Sequence, residues 1–128
     1  MAQGRGSATL VLGLGLLFFL LMIQMTAPIV GAATYSVGDG SGWTFNAVNW
    51  PNGKTFRAGD ILVFNYNPLS HNVVAVDGNG YNGCAIPTGA RVFTSGSDRI
   101  TLGRGTNYFI CSYADHCKSG MKISVTAS

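Results

Sequence analysis

The side chains able to bind a soft or borderline metal are few. The chain has two histidines, His71 and His116, three cysteines, Cys84, Cys111 and Cys117, and a single methionine, Met121, beyond residue 32. Cys111, His116 and Met121 fall within one eleven-residue window of the segment YFICSYADHCKSGMKI, while His71 sits in NPLSHNVV, where a Pro-containing turn enters an apolar run. Each alone has an ordinary structural explanation: a turn histidine, a core methionine, a buried thiol. Together, two imidazoles, one thiolate and a weak thioether form the donor set of a blue-copper electron-transfer centre. Thiolate and thioether suit Cu(I), imidazole suits both oxidation states, and a trigonal arrangement lies between the geometries the two states prefer. An electron can then pass with little rearrangement, so the expected cofactor is one type 1 copper ion. Zinc is a poorer fit, because a thioether is an unusual zinc ligand.

The odd number of cysteines bears on the same point. Three thiols cannot all pair within one chain, and a leftover thiol in an oxidising compartment is oxidised or cross-linked unless it is buried or metal-bound. If Cys84 joins Cys117, Cys111 is left for the metal. If Cys84 joins Cys111, Cys117 is left, and its neighbour His116 points to the opposite face of an extended segment.

The elements that must position these residues read as all-β. After residue 33, helical periodicity is hard to find, and short β-branched or aromatic runs alternate with Gly, Asn, Asp and Pro punctuation. Strands are expected over 34–37, 61–66, 72–76, 91–94, 98–102, 107–111 and 122–126, with Asp77-Gly78-Asn79-Gly80 among the turns. Ile61-Leu62-Val63-Phe64 is almost continuously apolar and predicts a central strand buried on both faces; Lys122 to Thr126 alternates, so one face should meet water. Trp43 to Thr55 fits no clean pattern beyond a short helix in part of it. Seven or so short strands imply a Greek-key β-sandwich.

The chain is 128 residues long, and Leu10 to Ile23 contains only apolar residues and glycine, behind a head whose one charge is Arg5. That is the pattern of a cleavable signal peptide, and fourteen such residues fall short of the roughly 20 needed to span a bilayer. With cleavage after Ala32, residues 33–128 form one domain, too short for two. Seven Lys and Arg are scattered singly among five Asp and no Glu in that part. Such a charge pattern gives no nucleic-acid signature. A lipid-anchor tail is not expected at the C-terminus. The expected product is secreted to the extracellular space, the apoplast or cell wall, as a monomer without a membrane anchor. An enzyme is not expected: hydrolytic triads and multicopper oxygen chemistry need histidines beyond the two that the metal set uses.

The runs SGWTFN, FRAGDILVFNYNP, SHNVV, GARVFTSGSD and YFIC through to GMKI occur in the order and at the spacing of the phytocyanins, a branch of the cupredoxins, and the chain resembles that family over nearly all of residues 33–128. The resemblance implies a cupredoxin-like sandwich of seven to eight strands, copper ligands at His71, Cys111, His116 and Met121, and a disulfide between Cys84 and Cys117. That bridge would close a 33-residue loop and contribute about 4 kcal/mol by chain entropy. Met121 points to the plantacyanin or uclacyanin branch, since stellacyanin-like members carry Gln at that position, and with neither a Pro/Ser-rich stalk nor a lipid-anchor tail expected, the resemblance is to the plantacyanins. Asn72 is expected to hold the ligand loops through hydrogen bonds from outside the metal's own shell. The implied function is one-electron transfer to a small or protein redox partner whose identity the sequence does not specify; the alternative is an extracellular signalling or cell-wall interaction protein, in plant reproduction and pollen-tube guidance, with copper secondary. One departure stands out: Ala114-Asp115 occupies the place of the family's usual Pro-Gly. Asp tolerates positive φ, so the turn should survive, and the added carboxylate should favour Cu(II) and lower the reduction potential.

Overall fold

The computed structural model describes residues 31–128, and the hydrophobic run of the expected leader lies outside them. Ala32–Ser128 forms a compact unit by itself. Among the described residues, no helix is long and apolar enough to cross a membrane.

Seven strands build two sheets. The first contains β1 (Thr34–Ser36), β2 (Ile61–Asn65) and β5 (Ser97–Thr101) in the order β1-β2-β5; the second contains β3 (Val73–Val76), β4 (Arg91–Phe93), β6 (Gly105–Ile110) and β7 (Lys122–Ala127) in the order β4-β3-β6-β7. β1 runs parallel to β2, every other pairing between strands is antiparallel, and Phe56 makes an isolated parallel bridge to Ala127 of β7. This is the expected all-β sandwich.

The core lies between the sheets. Leu62 and Phe64 from β2 share one buried cluster with Val73, Phe109, Ile123 and Val125 from the second sheet and with Trp43, Trp50 and Phe56 from the connecting segments. Phe64 meets Trp43 edge-on at 5.1 Å and Phe109 at 5.2 Å between ring centroids. Burying each such side chain contributes on the order of 1.5–3 kcal/mol. β7 alternates as expected, with Ile123, Val125 and Ala127 buried and Lys122, Ser124 and Thr126 less so.

Two expectations need correction. β2 is central in its sheet but is not buried on both faces: Leu62 and Phe64 are fully covered, whereas Ile61 and Val63 are only half-buried. The strands covered on both faces are β3 and β6, where Val73 and Phe109 face inward and Val74 and Ile110 pack outward under a second cluster with Cys117, Tyr81 and Cys84. That cover comes from the second correction. Residues 78–83, read as beginning with a turn, form the helix α1 (Gly78–Gly83). Three glycines make it a poor helix by propensity, but the Asp77 carboxylate caps it by accepting the Gly80 N–H at 2.7 Å, and Tyr81 packs on Tyr108 with ring centroids 5.3 Å apart. The region between Trp43 and Thr55 contributes a single 3₁₀ turn, Ala47–Asn49.

Candidate metal centre

The register of the second sheet decides what meets at its end. β3 pairs Val74 with Ile110, and β7 pairs Lys122 with Ile110. One step further along, Cys111 donates its N–H to the Met121 carbonyl at 3.0 Å. One step further again, Asn72 faces Ser112: its side-chain oxygen accepts the Ser112 N–H at 2.9 Å and its amide donates to Ser112 Oγ at 2.8 Å. Three neighbouring strands therefore bring His71, Cys111 and Met121 to one end of the sandwich, although His71 and Cys111 are forty residues apart in sequence.

His116 is delivered by the loop between β6 and β7. Its N–H donates to the Tyr113 carbonyl, its carbonyl accepts from Met121 and Ser119, and Gly120 donates to Cys117, so the loop is a chain of tight turns. Gly120 takes φ +94°, a conformation that L side chains rarely adopt. The Gly120 carbonyl accepts the Val48 N–H at 3.2 Å, tying this loop to the Trp43–Trp50 segment. The Cys84–Cys117 disulfide, with Cα atoms 5.7 Å apart, anchors the residue beside His116 to the end of α1. Cys111 is the one free cysteine and is fully buried.

The side chains converge. His71 Nδ1 lies 3.2 Å from His116 Nδ1, and Cys111 Sγ lies 4.0 Å from the first and 3.6 Å from the second. A point in the plane of this triangle stands about 2.1 Å from all three atoms, against metal bonds of about 2.0–2.1 Å to imidazole nitrogen and about 2.3 Å to thiolate. The residues present thus fit one metal ion in a trigonal setting. Burial and the neighbouring His116 push the His71 pKa down, which favours the neutral imidazole that a metal requires. Met121 is fully buried in the same core cluster as Cys111, with its backbone bonded to both Cys111 and His116.

Three participants carry no signal of their own in the sequence. Trp43 donates its indole N–H to the Asn72 carbonyl at 2.9 Å, fixing the residue next to His71. Ser112 holds the Asn72 side chain. Phe45, 42 % exposed, stands edge-to-face against both imidazoles, with centroids 4.9 Å from His116 and 5.8 Å from His71. None is a residue type that suggests metal chemistry, so only its position could reveal it.

The departure at Ala114-Asp115 resolves differently from the expectation. It is Ala114, not Asp115, that adopts the positive φ, at 42°. Ala lacks the local hydrogen bonding that eases Asp into this region, so the turn is strained at that residue.

A two-sheet sandwich whose second sheet ends in a triangle of one thiolate and two imidazoles has the architecture of a type 1 copper protein. The model for the plastocyanin-like domain matches residues 43–121. The chain belongs to that family, on the phytocyanin side of it. It is 58% identical over 128 residues, 99% of each chain, to the basic blue protein of Arabidopsis thaliana. It is also 58% identical to the chemocyanin of Lilium longiflorum, over the full length of both chains. Among solved structures, it resembles the cucumber basic protein, a blue copper protein, with a TM-score of 0.74 and 58% identity; the match covers 75% of this chain and 100% of that one.

Proposed function

We propose that the protein is a secreted one-electron carrier in which His71, Cys111, His116 and Met121 would hold one copper ion. The observation that carries this reading is the triangle of Nδ1, Nδ1 and Sγ atoms, sized for one ion. When bound, copper supplies the Cu(I)/Cu(II) couple.

The chain's own residues supply the frame. Cys111 contributes the thiolate from a fully buried position, which keeps it from oxidants and other thiols. The Asn72–Ser112 pair and the Cys111–Met121 backbone bond fix the two loops relative to each other, so the donor atoms need not move with the charge on the ion. Cys111 and Met121 are buried, whereas His71 and His116 are only half-buried. A redox partner, small molecule or protein, would therefore meet the molecule at the imidazoles and the exposed edge of Phe45. Both histidines belong to the metal set, leaving none for acid–base catalysis, and we assign no enzymatic activity.

Residues 1–32 are proposed as the signal peptide and 33–128 as the mature, extracellular domain. The reading in which the surface acts and copper is incidental is not favoured, because the loops are tied together specifically around the donor atoms. The test is metal analysis with optical and EPR spectra of the purified mature protein. One copper per chain, a strong blue absorption that bleaches reversibly on reduction, and loss of that absorption in a folded Cys111→Ser variant are expected. A stoichiometric but colourless copper protein, or a Cys111→Ser variant with the spectrum unchanged, would overturn the assignment.

A further inference from the structure

At the point where β1 enters the first sheet, both backbone polar atoms of Ala33 are engaged by one short segment. Its carbonyl accepts the Ile61 N–H at 2.9 Å, and its nitrogen lies 2.9 Å from Asp60 Oδ1. Asp60 Oδ2 accepts the Arg57 N–H at 2.8 Å. Ala33 is exposed, while Asp60 is only 3 % exposed. The other charge nearby is the Arg57 guanidinium, and the Ala58 N–H donates to the Ser128 backbone oxygen at 3.0 Å.

We infer that Asp60 is a receptor for a primary ammonium, the α-amino group that Ala33 acquires when the leader is removed. The inference rests on the proposed cleavage between Ala32 and Ala33. Hydrolysis of that amide gives the water oxygen to the Ala32 carboxylate and both water hydrogens to the Ala33 nitrogen, which becomes –NH₃⁺; in the folded mature domain this group stands where the Ala33 amide stands, 2.9 Å from Asp60 Oδ1. A neutral N–H···O contact is thereby converted into a charge-assisted pair on a covered carboxylate, which is about twice as strong. Processing then does more than release the chain: it tightens the first strand of the mature domain onto β2.

The pH window follows from the two partners. The bonds from Ala33 and Arg57 are the main reasons the Asp60 pKa is held below its usual value; the charge of Arg57 adds to them and burial opposes. The contribution of Asp60 is therefore present above its unfolded pKa of about 3.9 and lost as pH falls through the lower folded value. The pair raises the pKa of the amine, so its contribution is full below the unfolded value of about 7.7–8.0 and lost as pH rises through the folded one.

The test is a cycle on the copper-loaded domain 33–128, with a free or an acetylated Ala33 and with Asp60 or Asp60→Asn. Near pH 6, acetylation should lower the folding equilibrium constant about tenfold with Asp60 and less than about twofold in Asp60→Asn. An equal effect in both backgrounds, or none, overturns the pair. Should Asp60→Asn fail to fold, the acylation rate of the native terminus decides: slower than in a peptide of the same leading sequence supports the pair, and equal rates overturn it. Mass spectrometry of the secreted protein separates the two layers. A first residue other than Ala33 removes the processing step and the pair with it, whereas an Ala33 terminus without coupling removes the pair alone.

Discussion

In the second sheet, β3, β6 and β7 lie side by side, and a candidate ligand stands just outside the end of each: His71 before β3, Cys111 after β6 and Met121 before β7. No strand of the first sheet is flanked by one, although β2 carries Leu62 and Phe64, both fully buried. The two sheets share one core but divide the work. Antiparallel neighbours bring residues distant in sequence to the same end, so the second sheet can gather donors, while the first backs them with apolar mass. The second sheet is also covered on its outer face by α1 and the disulfide. A frame that must hold donor atoms still while the charge changes gains from cover on both sides.

This division can be broken experimentally. Replacing both Cys84 and Cys117 by Ala should cost about 4 kcal/mol of stability and, because Cys117 adjoins His116, should also broaden the copper EPR signal; denaturant titration and EPR on one sample check both. In the first sheet, Leu62→Ala should cost about 2–5 kcal/mol and leave the EPR spectrum of the folded protein unchanged. An altered copper signal in that variant would show that the first sheet reaches the metal, and the division would fail. Asn72→Ala strands the Ser112 N–H and should cost about 1–3 kcal/mol, with a site effect out of proportion to its stability loss, seen as faster copper release to a chelator. The smallest effects belong to the ligand turn. Ala114→Gly should stabilise by about 1 kcal/mol or less, since Gly takes positive φ without the Cβ penalty. Asp115→Asn, which removes an exposed carboxylate, should raise the reduction potential measured by voltammetry, more at low salt than at high.

Much of the fold is legible in the sequence. All seven strands appear where β-branched runs lie between turn residues, because period-2 patterning and punctuation are local properties. The candidate donor residues are equally visible, since so few side chains of their type exist and three share one loop. The misreadings have a common cause. α1 was hidden because Gly, Asn and Asp favour turns in isolation, and only the Asp77 cap and packing on the second sheet tip the segment into a helix. The cover of Ile61 and Val63 was overestimated because an apolar run does not say whether a layer lies on its far side. At Ala114, the loop's hydrogen bonds decide which residue takes the positive φ, and residue preference points instead to Asp115.

By itself, the sequence determined the strand pattern, the candidate donor set and the odd cysteine, since these depend on residue types and short spacings. Only the tertiary structure decided that Val74, Ile110 and Lys122 share a row, and hence that His71 Nδ1, His116 Nδ1 and Cys111 Sγ fall within 4.0 Å of one another. It also decided that Trp43, Ser112 and Phe45 surround them. The physical reason is register. A strand slipped by one residue turns every side chain to the other face, and what holds the register is the sum of cross-strand bonds and core contacts between segments far apart in the chain.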